Sequence, residues 1–141
     1  MKILLDAMGG DNAPDEVLKG AYRASKEIAN DTEIILIGNE EILNSRIKEL
    51  FGKSNVSELS NKISIKNASQ QIDMEDIPTQ AIKHKKDSSM VVGFKLLKEG
   101  IGDVFISAGN SGALLTGATL LVGRIKGIDR PAMAGILPAY H

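Results

Sequence analysis

Lys2-Ile3-Leu4-Leu5-Asp6-Ala7-Met8-Gly9-Gly10-Asp11-Asn12-Ala13-Pro14 sets the reading of the whole chain. Residues 2–7 are a short, mainly apolar run closed off by Met8-Gly9-Gly10-Asp11, the pattern of a buried strand that ends in a tight loop. Pro14, which needs no amide partner, fits the first turn of a helix, and Asn12 is placed to cap it. Val17, Leu18, Ala21, Tyr22 and Ile28 then recur on one face at helical spacing, with Glu16, Lys19, Arg23 and Glu27 on the other side. A strand passing through glycines into a helix is the unit from which parallel sheets are assembled.

The same unit recurs downstream. Ile34-Ile35-Leu36-Ile37, inside residues 33–38, predicts a second buried strand, and residues 40–51 predict a helix. Lys62-Ile63-Ser64-Ile65-Lys66 alternates polar and apolar residues, which predicts a strand with one exposed face. Residues 68–78 carry Gln70, Gln71, Asp73, Glu75, Asp76 and Pro78 with little periodicity, and read as a mobile loop ahead of a short basic helix. Ser88 and Ser89 precede Met90, Val91, Phe94 and Leu97, an amphipathic helix with hydroxyls at its start. Residues 103–108 predict a buried strand that runs into Gly109-Asn110-Ser111-Gly112 and an apolar helix from Ala113. This alternation predicts an α/β fold of three layers, α/β/α, around a mainly parallel sheet.

Composition excludes several classes of function. The 141 residues are 43% hydrophobic and 25% charged, as expected of one globular domain, and the formal charge of -1 gives no global field for nucleic acid. With no Cys, disulfides, thiolate metal sites and a cysteine nucleophile are excluded, and the chain fits a reducing, cytoplasmic setting. No cationic leader precedes the first strand. The most apolar segment, residues 113–122, is about half of the roughly 20 residues a membrane-spanning helix needs, so the chain is expected to be soluble. Ile136-Leu137-Pro138-Ala139-Tyr140-His141 is an apolar approach to a stop, the mark of a truncated chain.

In open parallel sheets, ligands sit beyond the carboxyl ends of the strands, where loops lead into helix N-termini. Three segments have that character: residues 6–13, 107–112 and 87–90. Glycines let backbone amides approach an anion, so Gly9, Gly10, Gly109 and Gly112, with the side chains of Asn12, Ser88, Ser89, Asn110 and Ser111, are candidate phosphate contacts. For Asn110 and Ser111 the alternative is simple helix capping. Asp6 and Asp11 would repel a bare phosphate and make sense as acceptors that organise loop amides or a nearby Lys. Lys83-His84-Lys85-Lys86 is a positive run whose ordinary reading is solvated surface. Its place after the loop and beside Ser88, at a hydroxyl-bearing helix start, gives it a second, functional reading. Neither the P-loop nor the dinucleotide glycine pattern occurs, and no helix carries paired metal ligands. Gly109-Asn110-Ser111-Gly112-Ala113 is a near miss to the serine-hydrolase elbow, with Ala113 in place of the last glycine and no credible catalytic His after it.

Four blocks taken in order carry a closer resemblance: Asp6-Ala7-Met8-Gly9-Gly10-Asp11-Asn12-Ala13-Pro14, Lys85-Lys86-Asp87-Ser88-Ser89-Met90, Ser107-Ala108-Gly109-Asn110-Ser111-Gly112-Ala113-Leu114, and residues 122–132, Val-Gly-Arg-Ile-Lys-Gly-Ile-Asp-Arg-Pro-Ala. Together they closely resemble the bacterial phosphate acyltransferase family of phospholipid synthesis. The resemblance implies a fold related to phosphate acetyltransferases and isocitrate-dehydrogenase-like enzymes. It implies transfer of an acyl group from acyl carrier protein to inorganic phosphate, without cofactor or metal, by a homodimer. It implies that residues 1–141 are the N-terminal portion of one larger α/β/α catalytic domain, with peripheral membrane association expected through the part that follows. Catalytic roles then fall to Asn110, Ser111 and Lys86, and phosphate or substrate contacts to Gly9, Gly10, Asp11, Asn12, Ser88, Ser89, Gly109 and Gly112. Lys83 and Lys85 are left to dock the carrier protein. Two residues depart from the family pattern: Ser111 stands where Thr is more usual, and Lys83-His84 where one or two Arg are expected, which replaces bidentate anion contacts by point charges.

Overall fold

A computed structural model describes residues 1–59 and 61–135, with side chains for residues 1–52 and 61–135. Four strands, β1 (Lys2–Asp6), β2 (Glu33–Gly38), β3 (Ile63–Asn67) and β4 (Val104–Ile106), form one sheet among the described residues, in the order β3-β2-β1-β4 with every pairing parallel. The helices are α1 (Asp15–Glu27), α2 (Glu40–Leu59), α3 (Pro78–His84), α4 (Ser89–Lys98) and α5 (Ser111–Gly117), the last running on into a π-helical turn, Ala118–Val122.

Strand periodicity builds the layers. Ile34 and Leu36 point to one face of the sheet and meet Leu18 and Ala21 of α1 and Leu43 and Ile47 of α2. Leu4, Ile35 and Ile37 point to the other face, where Val92 and Leu96 of α4 cover them. A third cluster, with Ile82, Met90, Phe94 and Ala113, binds α3, α4 and α5 to one another. The result is the expected three-layer α/β/α arrangement, and the continuous apolar run of β2 is explained by burial on both faces.

The structure departs from the sequence reading at β4 and in the loop at residues 68–77, and extends it at α2. β4 is only three residues long, and Val104 and Ile106 are 39% and 48% exposed although the segment reads as a buried strand. Its register with β1 turns these two residues to the α1/α2 face, and α1 and α2 lie over the other strands; only Phe105, on the α4 face, is packed. α2 is interrupted at Gly52 (φ 69°, ψ 168°), so the predicted helix at residues 40–51 is its first segment. The loop at residues 68–77 has no helix or strand, yet it is anchored throughout: Gln70 bridges in parallel to Ser88, and Ser69 donates its amide to Asp87 Oδ2 at 2.9 Å. The apolar terminal run, residues 136–141, lies outside the described residues, and Met133 just before it is 63% exposed.

β2 is flanked by two strands and two helical layers, so its side chains have little room to relax. Leu36, 1% exposed, is expected to cost about 2–5 kcal/mol when truncated to Ala, read as a fall in the urea midpoint at unchanged slope. A loss below about 1 kcal/mol would show that the layer collapses onto the gap.

Candidate phosphate-binding crevice at the sheet edge

The strand order reverses at β1. From β1 the chain steps outward to β2 and β3, then returns to lay β4 on the other side of β1. The loops leaving β1 and β4 therefore flank the switch point, the place where open parallel sheets hold ligands. These are the two glycine turns singled out from sequence.

A buried carboxylate joins them. Asp6, 2% exposed, accepts the Met8 amide through Oδ1 at 3.2 Å and the Ser107 hydroxyl through Oδ2 at 2.7 Å. Ser107 Oγ in turn accepts the Gly109 amide at 3.1 Å, so both loops hang from one side chain. The expectation that Asp6 organises loop amides holds. No local signal marks Ser107, which supplies the far half of the link; hydroxyls beside glycines are too common in sequence to distinguish one. Gly9 is required by proximity: a Cβ there would lie 2.6 Å from Asp6 Oδ2 and 2.9 Å from the Gly109 nitrogen. Gly10 is required by its backbone, at φ 105°.

Other predicted residues take different stations. Asn12 does not cap α1 with its side chain; its carbonyl accepts the Glu16 amide at 3.2 Å, and Pro14 holds the cap position. Asp11 is exposed and lines the crevice cavity, Asn12 is exposed beside the start of α1, and Ser111 is exposed on the first turn of α5. Ser88 and Ser89 are 0% and 2% exposed, which removes both hydroxyls from the crevice surface. Ser88 Oγ accepts the Val91 amide at 3.4 Å as the cap of α4. Gly112 packs on Pro78, with a Cβ there placed 2.7 Å from Pro78 Cγ.

Asn110 is 7% exposed, and all its polar atoms are occupied. Its Oδ1 accepts the Ala113 amide at 3.0 Å, while Nδ2 faces three carbonyls, of Asp73 and Met74 at 3.2 Å and of Asp76 at 3.1 Å. The capping reading of this residue therefore holds, and its amide is turned to the carbonyls of the 73–76 loop, which it would have to give up to meet an anion. Lys85 reaches the same loop from α3, ion-paired with Asp76 and 3.2 Å from Asp73. The hydrogen bond from Lys85 holds the Asp76 carboxyl below the usual carboxylate range, and the same bond raises the Lys85 ammonium above its own. Lys83, His84 and Lys86 remain exposed, and the Lys95 ammonium donates to the Lys86 carbonyl at 3.0 Å.

Between the anchored loop and the first glycine turn lies a cavity of about 230 Å³, with Met8, Gly10 and Asp11 on one side and Gln71, Asp73 and Met74 on the other. A larger cavity of about 400 Å³, lined by Tyr22, Lys26 and Lys62 among others, opens at the opposite, amino edge of the sheet, far from both glycine turns.

A strand-order reversal flanked by two glycine turns that lead into helices defines an α/β protein with a ligand crevice at its switch point. The chain belongs to the fatty acid synthesis protein family, whose sequence profile matches residues 1–141. It is 55% identical over 138 residues to the phosphate acyltransferase of Acetivibrio thermocellus, covering 98% of this chain and 39% of that protein. Similar phosphate acyltransferases occur in Thermoanaerobacter pseudethanolicus, 47% identical over 100% of this chain and 39% of the relative, and in Clostridioides difficile, 47% identical over 98% and 38%. The chain thus spans about two fifths of the length of these relatives.

Two tests probe this geometry. Gly9→Ala puts its methyl against backbone and a buried carboxylate, so the two turns must part; the expected cost is about 1–3 kcal/mol, and a neutral variant would show that they are not held together. The Lys85–Asp76 contribution has a definite pH window. With the Asp76 pKa lowered, its share is present above about pH 4 and lost as pH falls through the folded value; with the Lys85 pKa raised, its share persists to about pH 10 and is lost above. The urea-midpoint difference between wild type and Lys85→Met should be flat from about pH 5 to 9 and close below about pH 4.

Proposed function

We propose that this chain is the amino-terminal part of a phosphate acyltransferase that moves an acyl group from the thioester of acyl carrier protein to inorganic phosphate. The observation that carries the reading is the meeting of two glycine turns at the strand-order reversal, in a family whose named relatives are phosphate acyltransferases. An oxygen of phosphate attacks the thioester carbonyl, the C–O bond forms, the C–S bond breaks, and the thiolate leaves and takes up a proton. Phosphate, with a second pKa of about 6, is largely dianionic near neutral pH and needs no serine or cysteine nucleophile. The thiol has a pKa of about 8.5, so its departure needs no strong general acid.

What remains for the protein is to hold two negatively charged centres in line and exclude water. The first-turn amides of α5 at Ser111 and Gly112, the Ser111 hydroxyl, the glycine turn at residues 9–12 and Lys86 are suited to that work. Asn110, whose amide is occupied, is assigned no direct contact with the reacting groups. Lys83 and Lys86, with Lys95 beside them, are the charges left to meet an acidic carrier, because Lys85 is neutralised by Asp73 and Asp76. A second reading, an acyl transferase that takes short acyl-CoA, fits the same crevice. Homodimerisation, a cytoplasmic location and peripheral membrane attachment are further parts of the proposal; among the described residues no helix is long and apolar enough to cross a membrane.

The direct test follows phosphate-dependent release of free thiol from acylated carrier protein, with a protein of the relatives' full length beside residues 1–141 alone. Turnover is expected from the longer chain and none from residues 1–141, whose β4 leaves Val104 and Ile106 uncovered beside the crevice. Equal rates per active chain would overturn the need for a second wall. Short acyl-CoA outperforming the acylated carrier would favour the second reading. Replacing Lys83 and Lys95 by Gln should raise the KM for the carrier at low salt and much less at high salt, since screening acts over about 8 Å at physiological ionic strength. A KM that ignores both changes would return the run to plain solvated surface.

A further inference from the structure

We infer that Asn110 and Lys85 form a two-point latch that holds the 71–76 loop as a wall of the crevice, and that Asn110 acts in the reaction as a positioning residue through this loop. The loop has no helix or strand; Ile72, 7% exposed, packs its start into the cluster of Ile82, Met90 and Phe94, and Asp76 donates its amide to the Asp73 carbonyl at 3.2 Å. Two polar anchors from outside then hold residues 73–76. From the β4–α5 turn, the Asn110 amide gathers the carbonyls of Asp73, Met74 and Asp76, three acceptors within four residues, which fixes the backbone at its bend. From α3, Lys85 binds the carboxylates of Asp73 and Asp76, the same two residues whose carbonyls Asn110 holds. Asp76 Oδ2 also accepts the Asp73 amide at 2.8 Å, so the bend is closed on itself between the anchors.

The consequence for the site follows from where each partner stands. Asn110 belongs to the glycine turn on one side of the crevice, and Asp73 and Met74 line the cavity facing Met8 and Gly10 on the other. One buried side chain therefore sets the spacing between the turn that leads into α5 and the loop that faces the turn after β1. Each alternative side chain fails for a stated reason. Asp at 110 keeps the acceptor for the Ala113 amide and presents a negative oxygen to three carbonyls; Ser keeps a cap and falls short of the loop.

The inference rests on the proposed reaction for its kinetic readout alone. In the full-length enzyme, Asn110→Ser, Asn110→Asp and Lys85→Met are each expected to speed amide hydrogen exchange at residues 72–77 by about 10-fold or more, with exchange in β1, β2 and β4 unchanged. The same variants should raise the KM for inorganic phosphate by about 10-fold and lower kcat by less, because the wall positions the anion without touching the transition state. Lys85→Arg, which can still pair with both carboxylates, should restore exchange and KM together. A loss of kcat by about 100-fold in Asn110→Ser, with loop exchange and KM unchanged, would make Asn110 a direct transition-state donor and overturn the latch. A loosened loop with unchanged kinetics would overturn its role in the site. If the Asn110 variants do not fold, the Lys85→Met and Lys85→Arg pair decides by itself. If the wild-type enzyme transfers no acyl group to phosphate, the proposed reaction fails, and the exchange comparison still tests the latch.

Discussion

The architecture of the crevice depends on one buried carboxylate. Asp6 ends the central strand, and from there it holds the Met8 amide on its own loop and the Ser107 hydroxyl on the loop after β4. Taking a carboxylate out of water is costly unless its oxygens are satisfied by donors, and here both oxygens are. The need to satisfy that group draws together two loops that are about a hundred residues apart in sequence. Gly9 then becomes necessary, since any Cβ there would enter the link itself.

Around this joint the crevice is assembled from opposite sides of the switch point. Polar side chains that sequence alone offers as ligand contacts turn out to differ in kind. Ser88 and Ser89 are buried, Ser88 as the cap of α4, Asn110 is buried and holds a loop, and Asp11, Asn12, Ser111 and Lys86 are exposed. The distinction matters chemically. A donor already bonded to protein acceptors must lose those bonds to meet an anion, whereas first-turn amides of a helix lack an intrahelical partner and, where no cap reaches them, have none to give up.

The charged run at residues 83–86 divides in the same manner. Lys85 is drawn into the latch by Asp73 and Asp76, and its neighbours stay in solvent. A run that reads as uniform in sequence thus contains one cation with a structural partner and others free to act at long range, the type of charge that steers an encounter.

The sequence by itself determined the order and kind of the elements, the parallel three-layer fold and the two glycine turns, because these depend on local signals: the period of apolar residues, β-branched runs, and glycines at the ends of strands. The four motif blocks likewise carry the family resemblance in the sequence itself. Tertiary structure alone decided that β4 is half exposed, since its cover depends on which strands α1 and α2 cross. It alone decided that the 68–77 loop is anchored, since its partners lie on α3 and beyond β4. It alone decided that the Asn110 amide is occupied. These facts depend on contacts between residues remote in sequence, and neither periodicity nor propensity records which distant acceptor a donor will find.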